Sequence, residues 1–215
     1  MLFRIGRRDA DMAHRGESET TQTAAFDAAV DAIGRGEAVV YPTETVYGLG
    51  ADATDQDAVS RVFEIKGRDE SKPVSVGFAD LETAIQYTNP TDRDREFIET
   101  FLPGPVTVLV ERGPSLPAVL TAGQPTVGVR IPDNAVAREL ARRAGPITAT
   151  SANRSGSPSV RRPAELSPAI RSAVGAIIDT GKAPGGESTV VDVNAGVIHR
   201  RGALADEIET WLAEH

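Results

Sequence analysis

Apolar positions along this chain recur first at helical and then at strand spacing, and the alternation repeats to the C-terminus. From Ala24, AAFDAAVDAIGRG carries apolar residues three and four apart and stops at glycines, which predicts an amphipathic helix. The run from Ala38 to Tyr41, closed by Pro42, predicts a strand. DQDAVSRVFEIK, from Asp55 to Lys66, predicts a helix with Val59, Val62, Phe63 and Ile65 inward and Gly67 just past its end. Val74 to Phe78 predicts a strand, with Asp80 capping a helix through Tyr87. Helices at 92–101 and 134–143 and strands at 106–111, 126–131, 146–150, 174–179, 189–193 and 196–200 follow, with an amphipathic helix from about Leu204. This pattern predicts an α/β fold: a single domain over 24–215 with a twisted, mixed β-sheet flanked by helices. Residues 1–23 lack periodicity and read as a disordered N-terminal extension in which Met12 is an alternative start.

Composition narrows the chemistry. With 215 residues, 40% hydrophobic and 25% charged, the chain carries enough apolar sequence for one core. It has no cysteine, which excludes disulfides, thiolate metal sites and a thiol nucleophile. No apolar run approaches the roughly 20 residues that span a bilayer, and the N-terminus lacks a signal-peptide pattern, so the expected location is the cytoplasm and no membrane partner is expected. His14, His199 and His215 are too scattered to suggest a metal cluster.

Charge distribution says more than the net −8. Only Lys66, Lys72 and Lys182 are lysines, beside 20 arginines. A salt-rich cytoplasm and a GC-rich genome account for that bias equally well. Between Arg130 and Arg162, seven arginines stand against Asp133 and Glu139, a net of +5 in an acidic chain. That suggests an anion site, although Arg138, Arg142 and Arg143 read as the solvated face of one helix.

Four segments spend polar residues where a fold alone does not demand them. YPTETVYGLG at 41–50 leaves a strand and exposes hydroxyls and backbone N–H groups, with Thr43 and Thr45 on one side if the chain is extended. An ordinary strand-to-helix turn has the same spacing. In KGRDESKP at 66–73 an extended chain after Gly67 would point Lys66 and Arg68 the same way, a pair able to grip a phosphate or carboxylate, with Lys72 nearby. The same cations would equally complement a helix C-terminus. ITATSANRSGS at 147–157 runs a strand into small hydroxyl and amide residues, where Ser151 and Asn153 would bond phosphate or ribose oxygens and Arg130 and Arg154 supply charge. ESTVVD at 187–192 and IHRRG at 198–202 add hydroxyls and a basic strand exit. No Walker A loop and no GxGxxG is present.

In order and spacing, PTETVYGLG, IKGR with KP after it, PGPVTVLV, TVGVRIPD, TATSANRSG and ESTVVDV resemble the YrdC/Sua5 family of threonylcarbamoyl-AMP synthases over about residues 24–203. The resemblance is to the short, single-domain form and implies a YrdC/RibB-like sheet around a concave basic cleft. The family's KxR and SxN signature falls on Lys66, Arg68, Ser151 and Asn153, and its late arginine on Arg200. Arg201 stands where the family usually has proline.

The resemblance implies a nucleotidyltransferase that condenses L-threonine, bicarbonate and ATP to threonylcarbamoyl-AMP and pyrophosphate, the first stage of N6-threonylcarbamoyladenosine formation at position 37 of tRNA. It implies catalytic roles for Lys66 and Arg68, ATP contacts from these two with Arg130, Ser151, Asn153, Ser188 and Arg200, and threonine contacts from Thr43, Tyr47 and Thr126. Mg2+ would accompany ATP, held by phosphate oxygens and water. tRNA and the downstream threonylcarbamoyl-transferase complex are the expected macromolecular partners. Two other readings stay open: a nucleic-acid-binding module, against which the acidic total and few aromatics weigh, and a paralogue that keeps the cleft but only binds or hydrolyses nucleotides.

Overall fold

The computed structural model describes residues 23–215. The expected extension therefore lies, apart from Thr23, outside the described residues, as do Met12 and His14. Helix α1 occupies 23–34. Strands β1 (Val39–Tyr41) and β2 (Gly48–Gly50) follow, then α2 (Gln56–Lys66), β3 (Ser75–Gly77), α3 (Leu81–Ala84), β4 (Thr88–Asn89) and α4 (Asp92–Phe101). The second half contains β5 (Val106–Arg112), β6 (Thr126–Arg130), α5 (Ala135–Ala144), β7 (Ile147–Ser151), α6 (Pro168–Ala173), β8 (Ala176–Ile177), β9 (Thr189–Asp192), β10 (Val197–Arg200) and α7 (Ala205–Glu214).

These strands form one mixed sheet in the order β10-β9-β5-β6-β3-β7-β2-β1-β8, with β4 paired to β5. The β5–β9, β3–β6 and β1–β8 pairs are parallel and the other pairs antiparallel. The predicted mixed α/β sheet is present. Among the described residues no helix is long and apolar enough to cross a membrane.

Local chemistry fixes the helix ends. The Asp55 side chain accepts from the Asp57 and Ala58 N–H groups, and Gly67 closes α2 at φ 56°, a left-handed conformation that costs glycine least. Thr91 and Asp94 form a capping box on α4. Asp80 caps α3 as expected, yet that helix ends at Ala84 rather than at Tyr87, because the chain turns into β4. β2 was not expected: its two glycines carry no strand pattern. They are needed because the Tyr41 ring lies over them, and an added Cβ would come within 2.7 Å of it at Gly48 and 2.8 Å at Gly50.

Period-two alternation divides the central strands between core and cleft. Val106, Val108 and Val110 of β5 and Val127 and Val129 of β6 turn toward a core shared with Phe97 of α4 and Ile208 and Trp211 of α7. Thr107 and Leu109, with Thr126, Gly128 and Arg130, turn to the opposite face and line a cleft. Two further clusters seat α2 and α6 behind β1 and β2, and α1 and α5 against β1 and β7.

On the cleft floor the register sets Leu109 opposite Gly128 and Ser75 opposite Ala149, so each pair holds at least one residue with little or no side chain. A Cβ on Gly128 would stand 2.5 Å from the Ser75 Oγ and 2.8 Å from the Thr107 Cγ2. Gly128→Ala is therefore expected to cost about 1–3 kcal/mol as overpacking, read as a lower denaturant midpoint. Unchanged unfolding would mean that Ser75 rotates away freely.

Candidate functional site

The cleft is an open cavity of about 520 Å³ over the face of β5 and β6, bordered by residues of β2, β3, β7, β9 and β10. Seven residues expected at the site line it: Thr43, Arg68, Thr126, Arg130, Ser151, Ser188 and Arg200. Its positive character comes from three guanidinium groups on separate segments. Arg68, just beyond α2, is held by the carbonyls of Lys72 and Pro73, to which its Nε and Nη2 donate at 3.0 and 2.9 Å. Arg200 at the end of β10 donates from Nε to the Ser188 carbonyl at 2.9 Å and from Nη2 to the Ser188 Oγ at 2.7 Å. Burial lowers the pKa of both arginines. For Arg68 the next cause is Arg200, and for Arg200 the neighbouring Arg130 acts in the same sense while Glu187 opposes it. Arg68 and Arg200, whose charged forms are disfavoured by burial and by a neighbouring guanidinium, are arranged to gain from an anion.

Arg130 has a partner that the sequence did not announce. Its Nη2 donates to Glu44 Oε1 at 2.6 Å and to the Thr45 Oγ1 at 3.0 Å, with both charged side chains largely buried. The Thr43 hydroxyl closes this turn by donating to the Val46 carbonyl at 2.6 Å. Glu44 lies between two threonines already considered, but nothing in its spacing showed that its carboxylate would meet β6. The cleft also takes in Ser75, outside the segments singled out in the sequence, and Thr107, Thr150 and His199, which lie inside such segments but were not themselves expected at the site.

Three expected site residues do not reach the cleft wall. The left-handed turn at Gly67 prevents Lys66 and Arg68 from pointing the same way. Lys66, 2% exposed, instead directs its ammonium to the backbone carbonyls of Ser151 and, at 2.7 Å, Asn153. It thereby tethers the end of β7 to the loop that follows. Asn153 donates from Nδ2 to the carbonyls of Arg154 at 2.9 Å and Ser157 at 2.6 Å, while its Oδ1 is buried without a partner. It lines a smaller hollow of about 300 Å³ with Arg154, and Ser159 borders both cavities. Tyr47, 0% exposed, packs in the core and sends its hydroxyl to Gly181 O at 2.7 Å. Lys72 is exposed and also lies off the cleft.

Elsewhere the bland readings hold. Arg138, Arg142 and Arg143 pair with Asp133, Glu139 and Asp27 on the surface. Arg201 pairs with Asp206 and Glu209, joining the end of β10 to α7.

Burial, and secondarily Arg68, pushes the Lys66 pKa down to about 8 from 10.5. Below pH 8 the folded and unfolded chains both hold this proton. Between about 8 and 10.5 the unfolded chain binds more, so this group makes stability rise with pH in that window. Lys66→Met is expected to flatten that rise, as measured by denaturant unfolding at several pH values. An unaltered slope would contradict a depressed Lys66.

Among the described residues no group of three or more His, Cys, Asp or Glu is placed to hold a metal ion.

The Sua5/YciO/YrdC family model, described as telomere recombination, matches residues 31–202. The threonylcarbamoyl-AMP synthase of Pyrococcus abyssi is 38% identical over 190 residues, 85% of this chain and 55% of that protein. The Bacillus subtilis enzyme of the same name is 37% identical over 177 residues, 80% of this chain and 51% of its own. The chain thus spans about half the length of these curated relatives. The crystal structure of P. abyssi Sua5 complexed with L-threonine matches with a TM-score of 0.81 and 37% identity, covering 86% of this chain and 56% of that one. With four-fifths of its length inside the family match and its cleft built from the motif segments, the chain belongs to the Sua5/YciO/YrdC family.

Proposed function

We propose that this protein is an L-threonylcarbamoyladenylate synthase, a nucleotidyltransferase that joins L-threonine, bicarbonate and ATP. The observation that carries the reading is the convergence of Arg68, Arg130 and Arg200 with the hydroxyls of Thr43, Thr126, Ser151 and Ser188 around one cavity of about 520 Å³. Such a volume falls in the range of small-molecule sites. The names of the curated relatives, and the L-threonine in P. abyssi Sua5, support the same reading.

The chemistry asks for what this cleft offers. Threonine's amine nitrogen bonds to the bicarbonate carbon with loss of water, giving a carbamate. A carbamate oxygen then attacks the α-phosphorus, the bond to the bridging oxygen breaks, and pyrophosphate leaves with the electron pair. Anionic reactants must approach one another, so fixed cations and neutral donors matter more than a strong base. Arg68, Arg200 and Ser188 would hold phosphate oxygens, with Ser151 beside them. Thr43 and Thr126, near the Glu44–Arg130 pair, would border the amino acid. Lys66 and Asn153 would serve ATP by shaping the loop after β7, with the Lys66 charge close behind it. Mg2+ would arrive on the triphosphate and offset its charge. The adenylate would pass, in the cytoplasm, to a complex that transfers the threonylcarbamoyl group to tRNA.

Mass spectrometry of reactions run with carbon-13 bicarbonate tests this reading. The expected product is a threonylcarbamoyl adenylate carrying the label. ADP or unlabelled AMP as the sole nucleotide product would favour simple hydrolysis instead.

A further inference from the structure

The segment from Asp179 to Ser188 joins β8 to β9 without regular structure and delivers Gly186, Glu187 and Ser188 to the cleft. It contains three glycines at positive φ, Gly181, Gly185 and Gly186, so its own backbone preferences do little to fix it. Contacts from outside fix it, among them the backbone bonds of the Ala183 N–H to Arg161 O and the Ala203 N–H to Glu187 O and two side-chain ties.

The first is Tyr47. Its hydroxyl donates to the Gly181 carbonyl at 2.7 Å and accepts from the Thr180 N–H at 3.1 Å. Its backbone meanwhile bonds the loop after β7: the Tyr47 N–H donates to Val160 O at 2.9 Å, and the Ala152 N–H donates to Tyr47 O at 2.8 Å. The second is Arg161, whose guanidinium donates from Nε to Ala183 O at 3.1 Å and from Nη2 to Pro184 O. It lies so close against Gly185 that an added Cβ there would stand 2.9 Å from its Cζ and Nε. The Gly185 N–H then donates to Thr45 O at 2.7 Å.

We propose that Tyr47 and Arg161 are positioning residues that clamp 179–188 between the turn after β1 and the loop after β7, and so hold Ser188 where it meets Arg200. Neither side chain lines the cleft; both act through the segment they hold. The proposal rests on the reading of Ser188 and Arg200 as nucleotide ligands. It reassigns Tyr47 from a threonine contact to a tie between three cleft-bordering segments, and gives Arg161, so far without a role, a function in ligand affinity.

Calorimetric titration of ATP, without bicarbonate, tests it alongside amide hydrogen exchange. Arg161→Ala and Tyr47→Phe are each expected to weaken ATP binding about tenfold, the scale of a lost positioning hydrogen bond, and to speed exchange at 183–188 selectively. Arg161→Lys keeps one donor and is expected to recover part of the affinity. In steady state KM for ATP should rise more than kcat falls. Once Ser188→Ala is in place, adding Arg161→Ala should cost much less than it does alone, because both act through one contact.

Unchanged ATP affinity in Arg161→Ala, where Ser188→Ala does weaken binding, would overturn the clamp. So would fully additive losses. If Ser188→Ala leaves ATP binding intact, the nucleotide reading fails and exchange decides the clamp: selective acceleration at 183–188 upholds it, and unaltered exchange overturns it.

Discussion

Arg200→Ala is expected to weaken ATP binding by roughly ten- to more than a hundredfold while moving the melting temperature little. The guanidinium makes two hydrogen bonds to Ser188 and faces the cleft from the end of β10. Hydrogen bonds involving a charged group contribute about 1.5–3 kcal/mol each, and about 1.4 kcal/mol is tenfold in affinity. Because the side chain is partly exposed, water can replace it at the Ser188 carbonyl, and the fold should survive. Arg200→Lys should recover only part of the loss, since a point charge cannot keep both Ser188 bonds and also reach a phosphate. Calorimetry and thermal unfolding on the same preparations check this. Full ATP affinity in Arg200→Ala would take β10 out of the site.

Lys66→Ala should damage both affinity and stability, whereas a cation on a helix end, as the sequence suggests it, would affect only affinity. The ammonium bonds the backbone carbonyls of Ser151 and Asn153; Ser151 O keeps the Asn153 N–H at 2.9 Å, so the Asn153 carbonyl is the one left without a donor, at a cost of about 1–3 kcal/mol. Part of that is offset, because removing a buried ammonium also removes its desolvation penalty, the same penalty that lowers its pKa. Freed from this tether, Ser151 and Asn153 would lose their fixed positions and ATP binding would fall steeply. Lys66→Met keeps most of the packing volume and should be more stable than the alanine variant, but no better at binding ATP. Melting curves and ATP titrations of the two variants separate the effects. A Lys66→Ala protein that melts like wild type would refute the tether.

Much of this arrangement is legible in the sequence wherever periodicity acts. TVGVR at 126–130 alternates valine with threonine, glycine and arginine, and that alternation alone puts Thr126 and Arg130 on the face opposite the core. The C-terminal end of α2 was readable from Gly67, whose dihedral freedom acts locally. What was not readable depends on contacts distant in sequence. β2 exists because a tyrosine ring from the neighbouring strand needs two residues without side chains. Glu44 becomes part of the site only when β6 brings Arg130 to it, 86 residues away. Lys66 and Arg68 are two apart and would share a side of an extended chain, yet one left-handed glycine sends the first inward and the second to the cleft. Tyr47 sits in a motif rich in hydroxyls, but its ring is buried and its hydroxyl is taken up by Thr180 and Gly181, more than 130 residues away.

Assembly of three substrates in the cleft, rather than binding of ATP alone, is tested by pyrophosphate release measured with each substrate omitted in turn. Release is expected only when ATP, L-threonine and bicarbonate are all present, and is expected to be lost in Arg200→Ala. Pyrophosphate release that continues at the same rate without threonine or without bicarbonate would contradict it.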